Sequence, residues 1–178
     1  ACNPARKLPE GQYLLTKNVI VADTGLIEKD RLASLIKQKP NRKILGVFRF
    51  HLGVYNLGNH GKPTKFKNWL KSIGEEPTIL DTALVEKSRN QINLLVHKQG
   101  FFNSTVTDTV LYKHKTAKVN YAINYGRPYL IRNVVYDTKD PVLKNLLFLF
   151  DSHGILNKGS RYDEDLIEKE RDKIASDI

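Results

Sequence analysis

Hydrophobic positions change period along this chain, and the changes mark its elements. Residues 13–23 (YLLTKNVIVAD) and 129–137 (YLIRNVVYD) are dominated by β-branched and aromatic residues. Gly126 and Pro128 punctuate the start of the second, so both stretches predict strands. A helical pattern follows each. Leu32, Leu35 and Ile36 recur at helical spacing over 28–39, and Leu143, Leu146, Leu147 and Phe150 over 140–153. Pro40 and Gly154 are the stop signals. A further helix is expected over 82–96, with Leu84, Ile92, Leu95 and Val96 on one side, Asp81 capping its start and Gly100 closing its end. Beyond Gly100 the period drops to two. Ala117, Val119, Tyr121, Ile123 and Tyr125 alternate with Lys118, Asn120, Ala122 and Asn124, which predicts a strand with one buried face. Residues 105–112, rich in Thr and Val, are expected to pair with it across a turn at 113–116.

The elements repeat. TALVEKSRNQINLLV from Thr82 and EDLIEKERDKIASDI from Glu164 align without gaps at an offset of 82, with Leu84/Leu166, Glu86/Glu168, Lys87/Lys169, Arg89/Arg171 and Ile92/Ile174 identical. The two strand-like stretches align at an offset of 116. The difference, 34 residues, is extra length in the first copy. Two matches in the same order imply a duplicated unit. The expected class is α+β. Unit one, residues 13–126, reads strand–helix–insert–helix–strand–strand, with the insert at about 40–76. Unit two, residues 127–178, reads strand–helix–helix and lacks the hairpin. One strand makes no sheet, so either the native chain is expected to continue past Ile178 or another chain supplies the strands.

Charge singles out the insert. The chain carries +10, but residues 1–126 hold 20 basic and 9 acidic side chains, and residues 127–178 hold 9 and 10. Nine basic side chains and no acidic one fall within 37–71: Lys37, Lys39, Arg42, Lys43, Arg49, Lys62, Lys65, Lys67 and Lys71. Such a segment suits anionic headgroups, an acidic protein surface or nucleic acid. Nucleic acid is not expected, because no recognition motif accompanies the charge. Phe48, Phe50, Tyr55, Phe66 and Trp69 lie among the basic residues and read mainly as packing.

Other chemistry is thin. The single cysteine, Cys2, allows no internal disulfide and no Cys-based zinc site. The longest apolar run, residues 146–150, is far short of the ~20 residues a spanning helix needs. The chain has no methionine, so it reads as a piece of a longer product. His51 and His60 with Glu75 and Glu76 match no metal-site spacing, and no metal or cofactor is expected. Gly61-Lys62-Pro63-Thr64 is spoiled as a phosphate loop by Pro63. Asp163, Glu164 and Asp165 read as acids favouring a helix start. No nucleophile elbow or catalytic triad is present, so enzymatic activity is not expected.

Strand–helix–helix–strand–strand, with Lys98-Gln99-Gly100-Phe101-Phe102 before the hairpin, resembles the POTRA (polypeptide-transport-associated) domains of the BamA/TamA superfamily. Residues 125–131 (YGRPYLI), where one unit hands over to the next, and 159–163 (GSRYD) carry the same resemblance. The insert, with ILGVFRFHLGVYNL and WLKSIGEEP, looks like the TamA-like lipoproteins of Bacteroidetes. That likeness implies an exported protein on the periplasmic face of the outer membrane, with a barrel following this stretch. Ala1-Cys2 resembles the end of a lipobox, so Cys2 is the implied lipidation site and residues 1–12 a tether. The implied partners are unfolded outer-membrane or secreted client segments, a TamB-like periplasmic protein and the outer membrane itself.

Two functional readings follow. In the first, an edge strand accepts a client segment as an added strand, at 105–112 (candidates Thr105, Thr107, Thr109 and Leu111) or at 13–21. In the second, Arg42, Lys43, Lys62, Lys65, Lys67 and Lys71 make the insert an adaptor for anionic lipid or lipopolysaccharide.

Overall fold

A computed structural model describes residues 8–41, 76–141, 143–144 and 154–177. The elements are β1 (Leu14–Ala22), α1 (Lys29–Ser34), α2 (Thr82–Lys98), β2 (Thr105–Lys113), β3 (Thr116–Asn124) and α3 (Glu164–Asp177). The molecule is α+β. Its sheet has the order β1-β3-β2, with β3 parallel to β1 and antiparallel to β2.

β3 lies at the centre, paired on both sides, and its alternation is the strictest of the three strands. Ala117, Val119, Tyr121 and Ile123 are all buried, while Ala122 and Asn124 are exposed. Its buried face receives Leu15 from β1, Leu32 and Ile36 from and just after α1, and Val85, Ile92, Leu95 and Val96 from α2. Phe101 and Tyr125 close the end of this core with ring centroids 4.9 Å apart. Burial pushes the Tyr121 and Tyr125 hydroxyls above the usual tyrosine pKa. On the opposite face of the sheet Lys17, Val21, Thr107 and Thr109 are exposed, while Lys118 and Asn120 of the central strand are half-buried.

Local chemistry sets the helix boundaries. The Asp81 carboxylate accepts from the amides of Ala83 and Leu84 and caps α2. At the other end Gly100 takes φ +85°, a left-handed conformation that glycine adopts freely. α1 is shorter than expected. It stops at Ser34, with Leu35 as its C-cap, and Ile36 reaches the core from the segment beyond. On α2 the buried stripe runs Val85, Ser88, Ile92, Leu95 and Val96. Leu84, expected on that stripe, is only half-buried.

The repeat seen in the sequence recurs in the hydrogen bonds. In unit one, Leu15 N donates to Thr78 O and Leu80 N to Tyr13 O, both at 2.8 Å, around an antiparallel bridge between Leu14 and Ile79. In unit two, Ile131 N donates to Ser160 O and Tyr162 N to Tyr129 O, both at 2.8 Å, around a bridge between Leu130 and Arg161. Every residue of the second clamp is offset from the first by the same 116 or 82 positions. Asp163 repeats Asp81, accepting from the Asp165 amide. Glu170 repeats Ser88: both are buried, and each accepts a backbone N–H from the segment that precedes its clamp, Ile155 N at 2.6 Å and Lys37 N at 2.9 Å.

One expected strand is corrected. Apart from the bridge at Leu130, residues 129–137 join no sheet. Strand pairing needs a partner ladder, and none stands beside this segment among the described residues. Val135 is 80% exposed in consequence. Of the helix expected over 140–153, Pro141, Leu143 and Lys144 are helical, and the rest lies outside the described residues.

Candidate functional site

A sheet edge offers backbone groups to another chain only where they point outward unpaired. The two edges of this sheet differ in that respect. β1 is covered at its start by 78–80 through the clamp. Beyond it, Asn18 Nδ2 donates to Gln38 O at 2.7 Å, and Gln38 Nε2 donates to Ile79 O at 2.6 Å. An open cleft of about 540 Å³ remains between this flank and α1, lined by Asn18, Ile20, Ala33, Ile36 and Lys39.

Among the described residues β2 has no strand on its outer side. Asp23 N donates to Ile123 O, so the odd-numbered residues of β3 turn their backbone groups to β1. The even-numbered residues therefore face β2 and bond Thr105, Thr107, Thr109, Leu111 and Lys113. That leaves the N–H and C=O groups of Val106, Asp108, Val110 and Tyr112 pointing outward, with no strand beside them among the described residues. Thr105, Thr107, Thr109 and Leu111, which sequence reasoning selected, are exposed. They line the outer face, and their backbone groups are spent on β3. The donors and acceptors of the edge belong to the alternate residues, a distinction that needs the register and not the composition.

On the other side of β2, its inner face meets α2. Val106 and Val110 pack against the core. Between them Asp108 Oδ1 accepts from Arg89 Nη1 at 3.0 Å. Arg89 Nη2 also reaches Glu86 Oε1 at 3.0 Å. The outward edge is thus flanked by two apolar positions with an ion pair between them. Tyr112, at the hairpin end, packs on Tyr13 with centroids 4.5 Å apart.

A second arrangement joins the units. Gln99 is buried; its Nε2 donates to Asp163 Oδ1 and Asp165 Oδ2, and its Oε1 accepts from Arg161. Arg161 lies over the Phe101 ring at 5.2 Å. Tyr129 N donates to Gly100 O at 2.8 Å, and Phe102 packs on Tyr129 and Tyr162. Arg31 of α1 pairs with Asp165, and Lys98 with Glu164. The acids at the start of α3 therefore serve the joint as well as their own helix. Sequence reasoning missed Gln99 and Arg161 as members of it; the only signal was their place in the short phrases flanking the hairpin and α3.

Cys2, Arg42, Lys43, Lys62, Lys65, Lys67 and Lys71 lie outside the described residues, as do His51, His60 and Glu75. Among the described residues no helix is long and apolar enough to cross a membrane.

No family model matches the chain, and no curated protein does. Among solved structures, the crystal structure of Haemophilus influenzae BamA POTRA3-5 aligns over 96% of this chain and 89% of that one, at 12% identity and a TM-score of 0.34. A likeness of that size carries no functional argument.

Proposed function

We propose that this chain is a POTRA-type protein-interaction module that binds an extended segment of a client protein along β2, without catalysis. The observation that carries the reading is the outward row of backbone groups at Val106, Asp108, Val110 and Tyr112, which no other strand pairs among the described residues. Strand addition uses such a row for affinity and neighbouring side-chain positions for selectivity. The strand–helix–helix–strand–strand order and the repeated clamp also support it. The phrases in 98–102, 125–131 and 159–163 extend the proposal to an outer-membrane assembly or translocation protein working on the periplasmic face. In that setting Cys2 would be lipidated, a barrel would follow, and unfolded outer-membrane segments or a TamB-like protein would be the partners. The adaptor reading, in which the basic insert binds anionic lipid, rests on charge alone.

A titration with a nine-residue alternating Thr/Val peptide tests the reading. The amides of 106–112 are expected to shift. Val106→Pro removes one outward donor without touching a bond to β3, and should weaken binding about ten-fold while β3 stays protected from exchange. Shifts confined to β1, or binding indifferent to the proline, would remove the client site from β2.

A further inference from the structure

Among the described residues the middle of the β2 edge holds unbalanced charge, and the imbalance has a definite place in the register of any added strand. Asp108 sits between Val106 and Val110 on the inner face, and its N–H and C=O point outward. A strand added to β2 therefore places one residue directly opposite Asp108, with its side chain on the same face. The residues two positions to either side fall opposite Val106 and Val110. Among the described residues, the charges joined to the central position are two carboxylates, Asp108 and Glu86, and one guanidinium, Arg89, which contacts both at 3.0 Å. Asp108 is 22% exposed and Arg89 33%, so both side chains reach the surface. Asp108 Oδ1 is engaged by Arg89; among the described residues Oδ2 accepts no hydrogen bond.

We infer that β2 selects its client by side chain: it takes an extended segment with a lysine or arginine opposite Asp108, flanked two positions away on each side by apolar residues. The inference rests on the strand-addition reading and adds the chemistry of the segment. A basic side chain at that position neutralises the net negative charge of the trio and offers donors to Asp108 Oδ2. Its methylene stem lies along the apolar flanking positions. An acidic side chain there meets a carboxylate directly opposite, which is unfavourable. The polarity runs against the protein as a whole. A chain of net charge +10 attracts acidic peptides in general, so preference for a basic one identifies a local reader.

Three nine-residue threonine peptides test this, each with valine at the third and seventh positions and lysine, glutamine or glutamate at the fifth. Binding to the full chain is read by fluorescence anisotropy. The lysine peptide should bind about five- to ten-fold more tightly than the glutamate peptide, with glutamine between. In Asp108→Asn the spread should shrink to about two-fold, the backbone edge being unchanged. Equal binding of the three peptides, or a lysine preference that survives Asp108→Asn, overturns the charge reader and leaves strand addition standing. Glutamate binding best would show the global field in control and overturn it equally. If none of the peptides binds while the amide spectrum is native, strand addition at β2 itself fails, and the inference with it.

Discussion

In unit one the clamp between residues 13–15 and 78–80 holds β1 where β3 can lie beside it, and a parallel ladder of eight residue pairs begins within it, at Leu14. In unit two the same clamp holds 129–131 against 160–162, and the next residues join no strand among the described residues. The helices that would cover each sheet start with the same Asp cap and carry the same identical positions. The clamp therefore places the strand segment, but it does not make a strand. What makes one is the neighbour: eight residues of β1 stand in register with β3, while residues 132–135 stand beside no strand among the described residues. The polar position at the centre of each covering helix follows the same division. In unit one Ser88 suffices, because Tyr121 of β3 fills the core beside it. In unit two Glu170 is longer, and Tyr136, from the segment after the clamp, donates to it at 2.6 Å.

The sharpest way to break this comparison is amide exchange, where the expected difference is largest. Val119, Tyr121 and Ile123 lie in the central strand of a buried core, so their amides should exchange only in rare, extensive openings. Val134 and Val135 should exchange several orders of magnitude faster, close to an unstructured peptide. Measured exchange by NMR that gave comparable protection at both sites would mean that the second segment has a partner strand.

The same comparison shows how far sequence reading reaches. The repeat was legible because identical residues recur at fixed offsets, and the hydrogen bonds of both clamps fall on those offsets. The hairpin was legible because 117–125 alternates so regularly. The strand at 129–137 was overread, because β-branched composition reports preference and not the presence of a neighbour. The stripe on α2 was placed at Leu84 and missed Val85 and Ser88: periodicity gives a face only to within about one position, and a buried serine looks polar to it. Thr105, Thr107, Thr109 and Leu111 follow from the placing of an edge strand at 105–112. Which residues carry the outward backbone groups depends on the parity of β3, and only the β1 partner fixes that.

A smaller but still substantial effect is expected where the two units meet. A Cβ at Gly100 would lie 2.4 Å from Tyr162 O, a backbone atom of the second clamp. Gly100→Ala must also hold φ near +85°, which costs about 1–2 kcal/mol for a residue with a Cβ. Moving Tyr162 away adds to that and disturbs the bond from Tyr129 N to Gly100 O. The variant should lose stability in denaturant unfolding by more than the conformational cost alone. Its chemical-shift changes should concentrate at 129–131 and 160–163, with β2 and β3 undisturbed. Changes spread over unit one instead would mean that Gly100 serves α2 and not the joint.

The smallest effect expected concerns the charges across the joint, and it decides what kind of joint this is. Arg31 and Asp165 approach to 2.5 Å, but their side chains are 43% and 39% exposed. An ion pair in that position competes with water and with salt, and contributes about 0.2–1 kcal/mol. Asp165 also accepts from Gln99, so Asp165→Ala alone mixes two losses. A double-mutant cycle with Arg31→Ala separates them. The coupling energy should fall within that range and shrink as ionic strength rises. The remaining cost of Asp165→Ala should survive high salt, because it reflects the buried Gln99 amide left with one acceptor fewer. A joint that behaves this way is held by backbone and amide hydrogen bonds packed under aromatic rings, with surface charge as an accessory. A coupling well above that range would instead place the ion pair at its centre, and unit two would then be attached to unit one chiefly through α1.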